Sequence, residues 1–428
     1  MTILGGRSLR ALCATLAAGT LAAGTLLAAA PATAATSTEG ASTDLASRGG
    51  GVAPSLALEV TTELTHIDRP WDLAFLPDDT MLVTERDRER ITAVLPDGER
   101  RILADSPDGI WHGAETGLMG IAVDPSFDTN RTIYACHGWR DEGGRDVRVT
   151  AWQIDEALTS ATITRTVVSG MEIHTGKHAG CRIRFDPAGA LYISTGDAQT
   201  GPLPQDLTSL NGKILRVDAA TGGPWPGNPF ESASSSNQQL IWTYGHRNPQ
   251  GLAYRSGPGV RHGMWSAEHG PTRDDEVNKL KAGGNYGWDP VLKPAPLKTS
   301  PLEAGPDAPP GYFADAPMTD HALPGRQIDA RWSSGSPTVA TSGATWLTDD
   351  RWDAWQGRLA VATLKHQRLL VMSFDPGGDF VGLEEPPELA GTYGDLRVPV
   401  LGPRGALYIS TDNFDGPDYI LKVVPASK

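Results

Sequence analysis

From Trp71 onward the chain repeats one hydrophobic grammar six times: an apolar run, a turn rich in Pro, Gly and Asp, then a second apolar run. Alternation such as ALYIST is that of a half-buried strand, and the turn residues supply the fixed or positive φ values that a hairpin needs. The copies begin at Trp71 (WDLAFLPDDTMLVTER), Gly120 (GIAVDPSFDTNRTIYACHG), Cys181 (CRIRFDPAGALYISTGD), Gly251 (GLAYRSGPGVRHGMWSAEHG), Gly343 (GATWLTDDRWDAWQGRLAVATLK) and Val398 (VPVLGPRGALYISTDN). Their starts lie 49, 61, 70, 92 and 55 residues apart. No long segment has helical apolar spacing. Repeats of this size made of antiparallel strands predict an all-β fold, a six-bladed β-propeller of four-stranded antiparallel blades spanning residues 56–428 as one domain. A β-sandwich or a two-domain β protein is the alternative, and six copies favour the ring. The 92-residue interval contains LKPAPLKTSPLEAGPDAPPGYFADAP, a proline-rich stretch that predicts a long surface loop.

The first 35 residues break this pattern. Arg7 and Arg10 precede a run of Ala, Gly, Leu and Thr that ends in PATA, which reads as a signal peptide cleaved near Ala34 or Ala35. The run is too weakly apolar for a membrane anchor, and no later run is long enough to span a bilayer. Residues 36–55 are small and polar and predict a flexible tether. The expected location is therefore extracellular. Without the leader the chain carries 35 basic and 51 acidic side chains, a formal charge of −16. That balance argues against a nucleic-acid partner, which needs clustered Lys and Arg. Beyond the leader two cysteines remain, Cys136 and Cys181; an oxidising compartment favours a disulfide, with two buried thiols as the alternative.

In a propeller, loops distant in sequence gather at one mouth of the channel. Five loops carry unusual polar content. GKHAGCRIRF opens a strand with His178, a residue type suited to act as a general base near neutrality. TYGHRNPQGLAY groups His246, Arg247, Asn248 and Gln250, and Arg247 offers a permanently charged fork to an anion or a developing oxyanion. SAEHGPTRDDEVNKLKAGGNYGWDP turns at Gly270 and Pro271, whose carbonyl oxygens suit a hard cation such as Ca2+. Asp274, Asp275, Glu276 and Asn278 concentrate oxygen ligands just behind. Lys365 and Arg397 each adjoin a strand that would deliver them to the mouth.

Together these motifs resemble the soluble PQQ-dependent sugar dehydrogenases of the glucose/sorbosone dehydrogenase family. The resemblance runs from about Thr62 to Val424 and is most specific in YGHRNPQGL, EHGP, DDEVN and GGNYGW. It implies that His178 is the base that removes a sugar hydroxyl proton as hydride passes to PQQ, and that Arg247 stabilises charge growing on the quinone. Asn248, His269, Thr338, Lys365 and Arg397 would hold the cofactor. The carbonyls of Gly270 and Pro271 would bind the Ca2+ that holds PQQ, and Glu276 and Tyr286 match a second, structural calcium site. PQQ carries three carboxylates, so an acidic protein needs a local cluster of cations to bind it. The implied substrate is an aldose or related polyol, with an external electron acceptor.

Four positions depart from the family pattern. Glu115, at the substrate side, and His269 each stand where glutamine occurs. Lys177 precedes the base where aspartate occurs, so like-charge repulsion is expected to weaken the base. Asp395 stands where a second cofactor-binding arginine is expected. Two other classes fit parts of the chain: a Ca-dependent propeller hydrolase of lactonase type, and a non-catalytic extracellular binding propeller. The basic loops suit an anionic cofactor better than either.

Overall fold

The computed structural model describes residues 56–291 and 311–427. The segments expected to be a signal peptide and a tether, and residues 292–310 of the proline-rich stretch, lie outside the described residues.

Six four-stranded antiparallel sheets are present, and each repeat found in the sequence opens one of them. The first strands are Pro70–Phe75, Leu118–Val123, Gly180–Phe185, Pro249–Arg255, Thr341–Trp346 and Leu396–Leu401. Each packs on the first strand of the next sheet, and the sixth packs on the first. That cyclic order closes a ring of six blades around a channel, so the fold is a six-bladed β-propeller. Among the described residues no helix is long and apolar enough to cross a membrane.

Glycine in the repeat has a packing reason. A Cβ on Gly120 would stand 2.3 Å from the carbonyl oxygen of Cys181 on the neighbouring first strand, so only glycine permits this approach. Farther out, large apolar side chains fill the wedges between blades. Trp265 of blade four packs edge-on against Trp346 of blade five, and Phe374 lies against both. Cys136, on strand Thr132–Asp141 of blade two, is disulfide-bonded to Cys181 of blade three, with Cα atoms 5.6 Å apart.

The sixth blade is completed from the other end of the chain. Strand Leu58–Ile67 pairs with strand Asp418–Pro425, in a register that runs from Leu58↔Pro425 to Ile67↔Asp418.

Polar side chains also cross-link the inner ring. Asp72 of blade one is fully buried and meets Arg182 Nη1 at 2.6 Å and two nitrogens of Arg184 at 2.8 Å. The Ile121 amide donates to it at 3.1 Å, so one carboxylate ties three blades. Burial alone would raise the Asp72 carboxyl, but Arg182 and Arg184 hold it below the usual carboxylate value. Asp72→Ala leaves two guanidiniums in the ring without that partner and is expected to destabilise the fold by about 3–5 kcal/mol, read by denaturant unfolding. A depressed pKa fixes the sign of the pH effect. The contribution of Asp72 is complete above the ordinary Asp value and is lost as pH falls below about 4.

Candidate active site

Antiparallel pairing brings the start of each first strand and the end of each second strand to the same mouth. His178 precedes strand Gly180–Phe185, Arg247 and Asn248 precede Pro249–Arg255, and Arg397 lies in Leu396–Leu401. From the outgoing side come Arg86 after Met81–Glu85, His269 to Pro271 after Gly263–Glu268, and Lys365 after Leu359–Thr363. All of these, with Trp71, Glu115, Gln250 and Thr338, line one cavity of about 220 Å³.

His178 is buried, with a left-handed φ of 56°. Its Nδ1 lies 2.7 Å from Asp197 Oδ1, and Asp197 is fully buried at the end of the following hairpin. The approach depends on Gly196, where a Cβ would stand 1.9 Å from the His178 carbonyl oxygen. Asp197 also accepts from Trp288 Nε1 at 2.7 Å, the Tyr312 hydroxyl at 2.8 Å and the Gln199 amide at 2.8 Å. Burial would raise its carboxyl, but His178, Arg247 and the Trp288 donor hold it below the usual range. Burial meanwhile pushes the Tyr312 hydroxyl well up, so it stays a donor. An ionised Asp197 only accepts, so the ring proton sits on Nδ1 and the lone pair of Nε2 is left for the cavity. The sequence pointed to His178 but not to Asp197, Trp288 or Tyr312. It set Lys177 against the base, whereas the charge bonded to the ring is a carboxylate.

Arg247 and Asn248 flank the base. Arg247 Nη1 donates to the His269 carbonyl at 3.1 Å, and its guanidinium lies 5.6 Å from the Trp288 ring centre. The buried Nε of Arg247 and the buried Nε2 of His269 have no hydrogen-bond partner among the described residues. Burial pushes His269 down to about 3, and Arg397, Arg247 and His178 add to that despite Asp275, so its ring is neutral at pH 7. Asn248 Oδ1 accepts from the Gly180 amide at 3.1 Å. Glu115 Oε2 accepts from the His178 amide at 2.9 Å, which places a carboxylate beside the base.

Arg397 is buried and held by Gln250 Oε1 at 2.5 Å and by Asp412, which its Nε reaches at 3.0 Å. Lys365 stands exposed at the rim. Thr338 reaches the cavity, but its hydroxyl donates to Asp275 at 2.7 Å. The expectation that Asp275 offers oxygen to a cation is corrected here. Its carboxylate already accepts from the amides of Gly270, Val339 and Ala340 at 2.9, 2.6 and 3.0 Å, so it knots two loops together. Asp274 likewise pairs with Arg273 at 3.2 Å.

Glu276 behaves differently. It lies opposite Glu268 on the paired strand, and both are buried. Burial, reinforced by Glu268, pushes its carboxyl up to about 8. Asn278 Nδ2 donates to Glu276 at 3.0 Å, yet its buried Oδ1 has no partner among the described residues. Glu268 is already taken by the ring of His246 at 2.9 Å and the Arg247 amide, so the oxygens left for a hard cation are those of Glu276 and the orphaned amide oxygen of Asn278. The Tyr286 hydroxyl is committed to the Lys279 carbonyl at 2.7 Å, so Tyr286 has only backbone to offer. Among the described residues no three His, Cys, Asp or Glu side chains are gathered to hold a metal. Any ion here relies on carbonyl and amide oxygens as well.

This propeller has counterparts among known proteins. The model of the Glucose / Sorbosone dehydrogenase family matches residues 67–422, and the chain belongs to that family, which supports a sugar oxidoreductase. It is 32% identical over 370 residues to the aldose sugar dehydrogenase of Escherichia coli K12, covering 84% of this chain and 91% of that one. The apo crystal structure of the soluble E. coli aldose sugar dehydrogenase superposes with a TM-score of 0.71 at 29% identity, over 86% of this chain and all of that one. The PQQ-bound aldose sugar dehydrogenase of Streptomyces coelicolor gives a TM-score of 0.66 at 29% identity, over 87% of this chain and all of that one.

Proposed function

We propose that this protein is an exported quinoprotein dehydrogenase that oxidises an aldose or related polyol-type alcohol, with PQQ and Ca2+ as cofactors. The observation that carries this reading is the His178–Asp197 pair opening onto a cavity whose walls hold Arg86, Arg247, Lys365 and Arg397. A polyanionic cofactor suits that wall, and the unpartnered Nε of Arg247 and Nε2 of His269 are groups it would satisfy. Arg247, Asn248, His269, Lys365 and Arg397 would hold PQQ, with Thr338, its hydroxyl given to Asp275, lining the cavity beside them. The carbonyls of Gly270 and Pro271 would hold its Ca2+, and Glu276 with the Tyr286 backbone would hold a structural one. When bound, PQQ supplies a two-electron acceptor, which an external carrier then reoxidises.

The chain's own groups perform the rest. Nε2 of His178 takes the proton of the sugar hydroxyl, while Asp197 fixes the tautomer and steadies the imidazolium that results. Arg247 keeps positive charge where negative charge develops. Glu115, hydrogen-bonded to the backbone of His178, faces the sugar beside the base.

Reconstitution decides the matter. Purified protein given PQQ and Ca2+ is expected to retain quinone absorbance and to turn over aldoses with an artificial electron acceptor. A chelator present during reconstitution is expected to prevent both. Loss of the quinone on desalting and no turnover on any sugar would overturn the reading, and lactone hydrolysis without PQQ would favour a hydrolase.

A further inference from the structure

We infer that Arg86 and Arg397 together form an anion-gripping corner of the cavity, and that Arg86 takes a carboxylate of the cofactor. This inference rests on the quinoprotein reading above.

Arg86 leaves the second strand of blade one, and its side chain is only 5% exposed. Its backbone is fixed on both sides: its amide donates to the Arg69 carbonyl at 3.1 Å, and its carbonyl accepts from the Leu118 amide at 3.1 Å. The guanidinium is thus placed before any ligand arrives. Around it, guanidiniums share their carboxylates. Arg69 Nη1, Arg86 Nη1 and Arg397 Nε share Asp412, at 3.6, 3.6 and 3.0 Å. Arg86 Nε and Arg69 Nε share Asp87, at 2.7 and 3.0 Å. Glu115, on the same cavity wall, is the third carboxylate that acts on Arg86, so charge in this corner is balanced, and Arg86 Nη1 at 3.6 Å from Asp412 stands beyond hydrogen-bond distance. Two of the three guanidiniums, Arg86 and Arg397, line the cavity. The Nε and Nη2 edge of Arg86 is taken by Asp87, at 2.7 and 3.5 Å, so Nη1 is the nitrogen left to give a ligand carboxylate a charge-assisted hydrogen bond.

Blade six does not supply the second cation itself. Asp395 is absent from the cavity wall, and its Oδ1 accepts from Gln367 Nε2 at 2.8 Å. The cation beside Arg397 therefore comes across the seam from blade one.

The test is a PQQ titration in the presence of Ca2+, followed by quinone absorbance, on wild type, Arg86→Met, Arg86→Lys and the double variant Arg86→Met/Asp395→Arg. Thermal unfolding of each apoprotein runs alongside as a folding control. Arg86→Met is expected to weaken PQQ binding by roughly 10- to 100-fold, the range of a charge-assisted hydrogen bond. Arg86→Lys, which keeps the charge but loses the fork, should lose less, and the double variant should regain part of the loss. The affinity of Arg86→Met should also depend less steeply on salt than that of wild type. If Arg86→Met unfolds, Arg86→Lys decides by the same titration. Wild-type affinity in a folded Arg86 variant overturns this inference and leaves the quinoprotein reading standing. A wild type that retains no PQQ overturns both.

Discussion

His178→Gln is expected to lower sugar turnover by about 10²- to 10⁴-fold, the usual contribution of a positioned general base. Glutamine is close to imidazole in length and can still hydrogen-bond Asp197, so the pocket stays filled. It cannot take a proton at pH 7. Retention of PQQ should change little, because the groups proposed to grip the cofactor lie on other loops and none depends on the ring of His178. The measurement is kcat with saturating PQQ and Ca2+, beside quinone absorbance of the same sample. Unchanged kcat in a variant that retains quinone would remove His178 from the chemistry. Loss of quinone together with activity would make it a cofactor ligand instead.

Asp197→Asn should be nearly as severe, through a different route. Asp197 is a positioning residue: it orients the ring and fixes which nitrogen carries the proton, and it touches neither substrate nor cofactor. An asparagine can turn its amide toward Nδ1 and stabilise the tautomer whose Nε2 is already protonated. A fall in kcat of about 10²-fold or more is expected, with KM for the sugar little changed. The same substitution disturbs the Trp288, Tyr312 and Gln199 contacts, so a stability loss of about 1–3 kcal/mol should accompany it. A purely structural role would lower the unfolding midpoint while leaving kcat per folded molecule intact. That split is what the paired measurements distinguish.

Much of the site was legible because the repeats carry it at their ends. The six quoted segments begin on the first strands, and four of them close on VTER, STGD, SAEHG and STDN. Those endings hold Arg86, Asp197, His269 and Asp412, and the fifth copy closes on Lys365. Lys365 was read from its place after a strand. The same rule applied to every copy would have found Arg86 and Asp197, since the Gly180↔Thr195 pairing sets His178 close to Asp197. Tyr312 and Trp288 obey no such rule. They reach Asp197 from 115 and 91 residues away, through loops whose course no local pattern fixes. Asp275 was misread for a chemical reason: backbone amides satisfy a buried carboxylate as well as a cation does, and the amides that do so arrive from residues 339 and 340. The closing strand Leu58–Ile67 was hidden because LEVTTELTHI pairs with a segment more than 300 residues downstream.

Blade six, stitched from both ends of the chain, also carries Arg397 and Asp412. Its third and fourth strands, Asp418–Pro425 and Leu58–Ile67, hold each other in place by pairing across more than 300 residues and back the two strands that present these side chains. A deletion reaching into Leu58–Ile67 or Asp418–Pro425 would pry open the circle at the place where the ligand is to be gripped. New termini are better cut between two other blades, with the original ends joined.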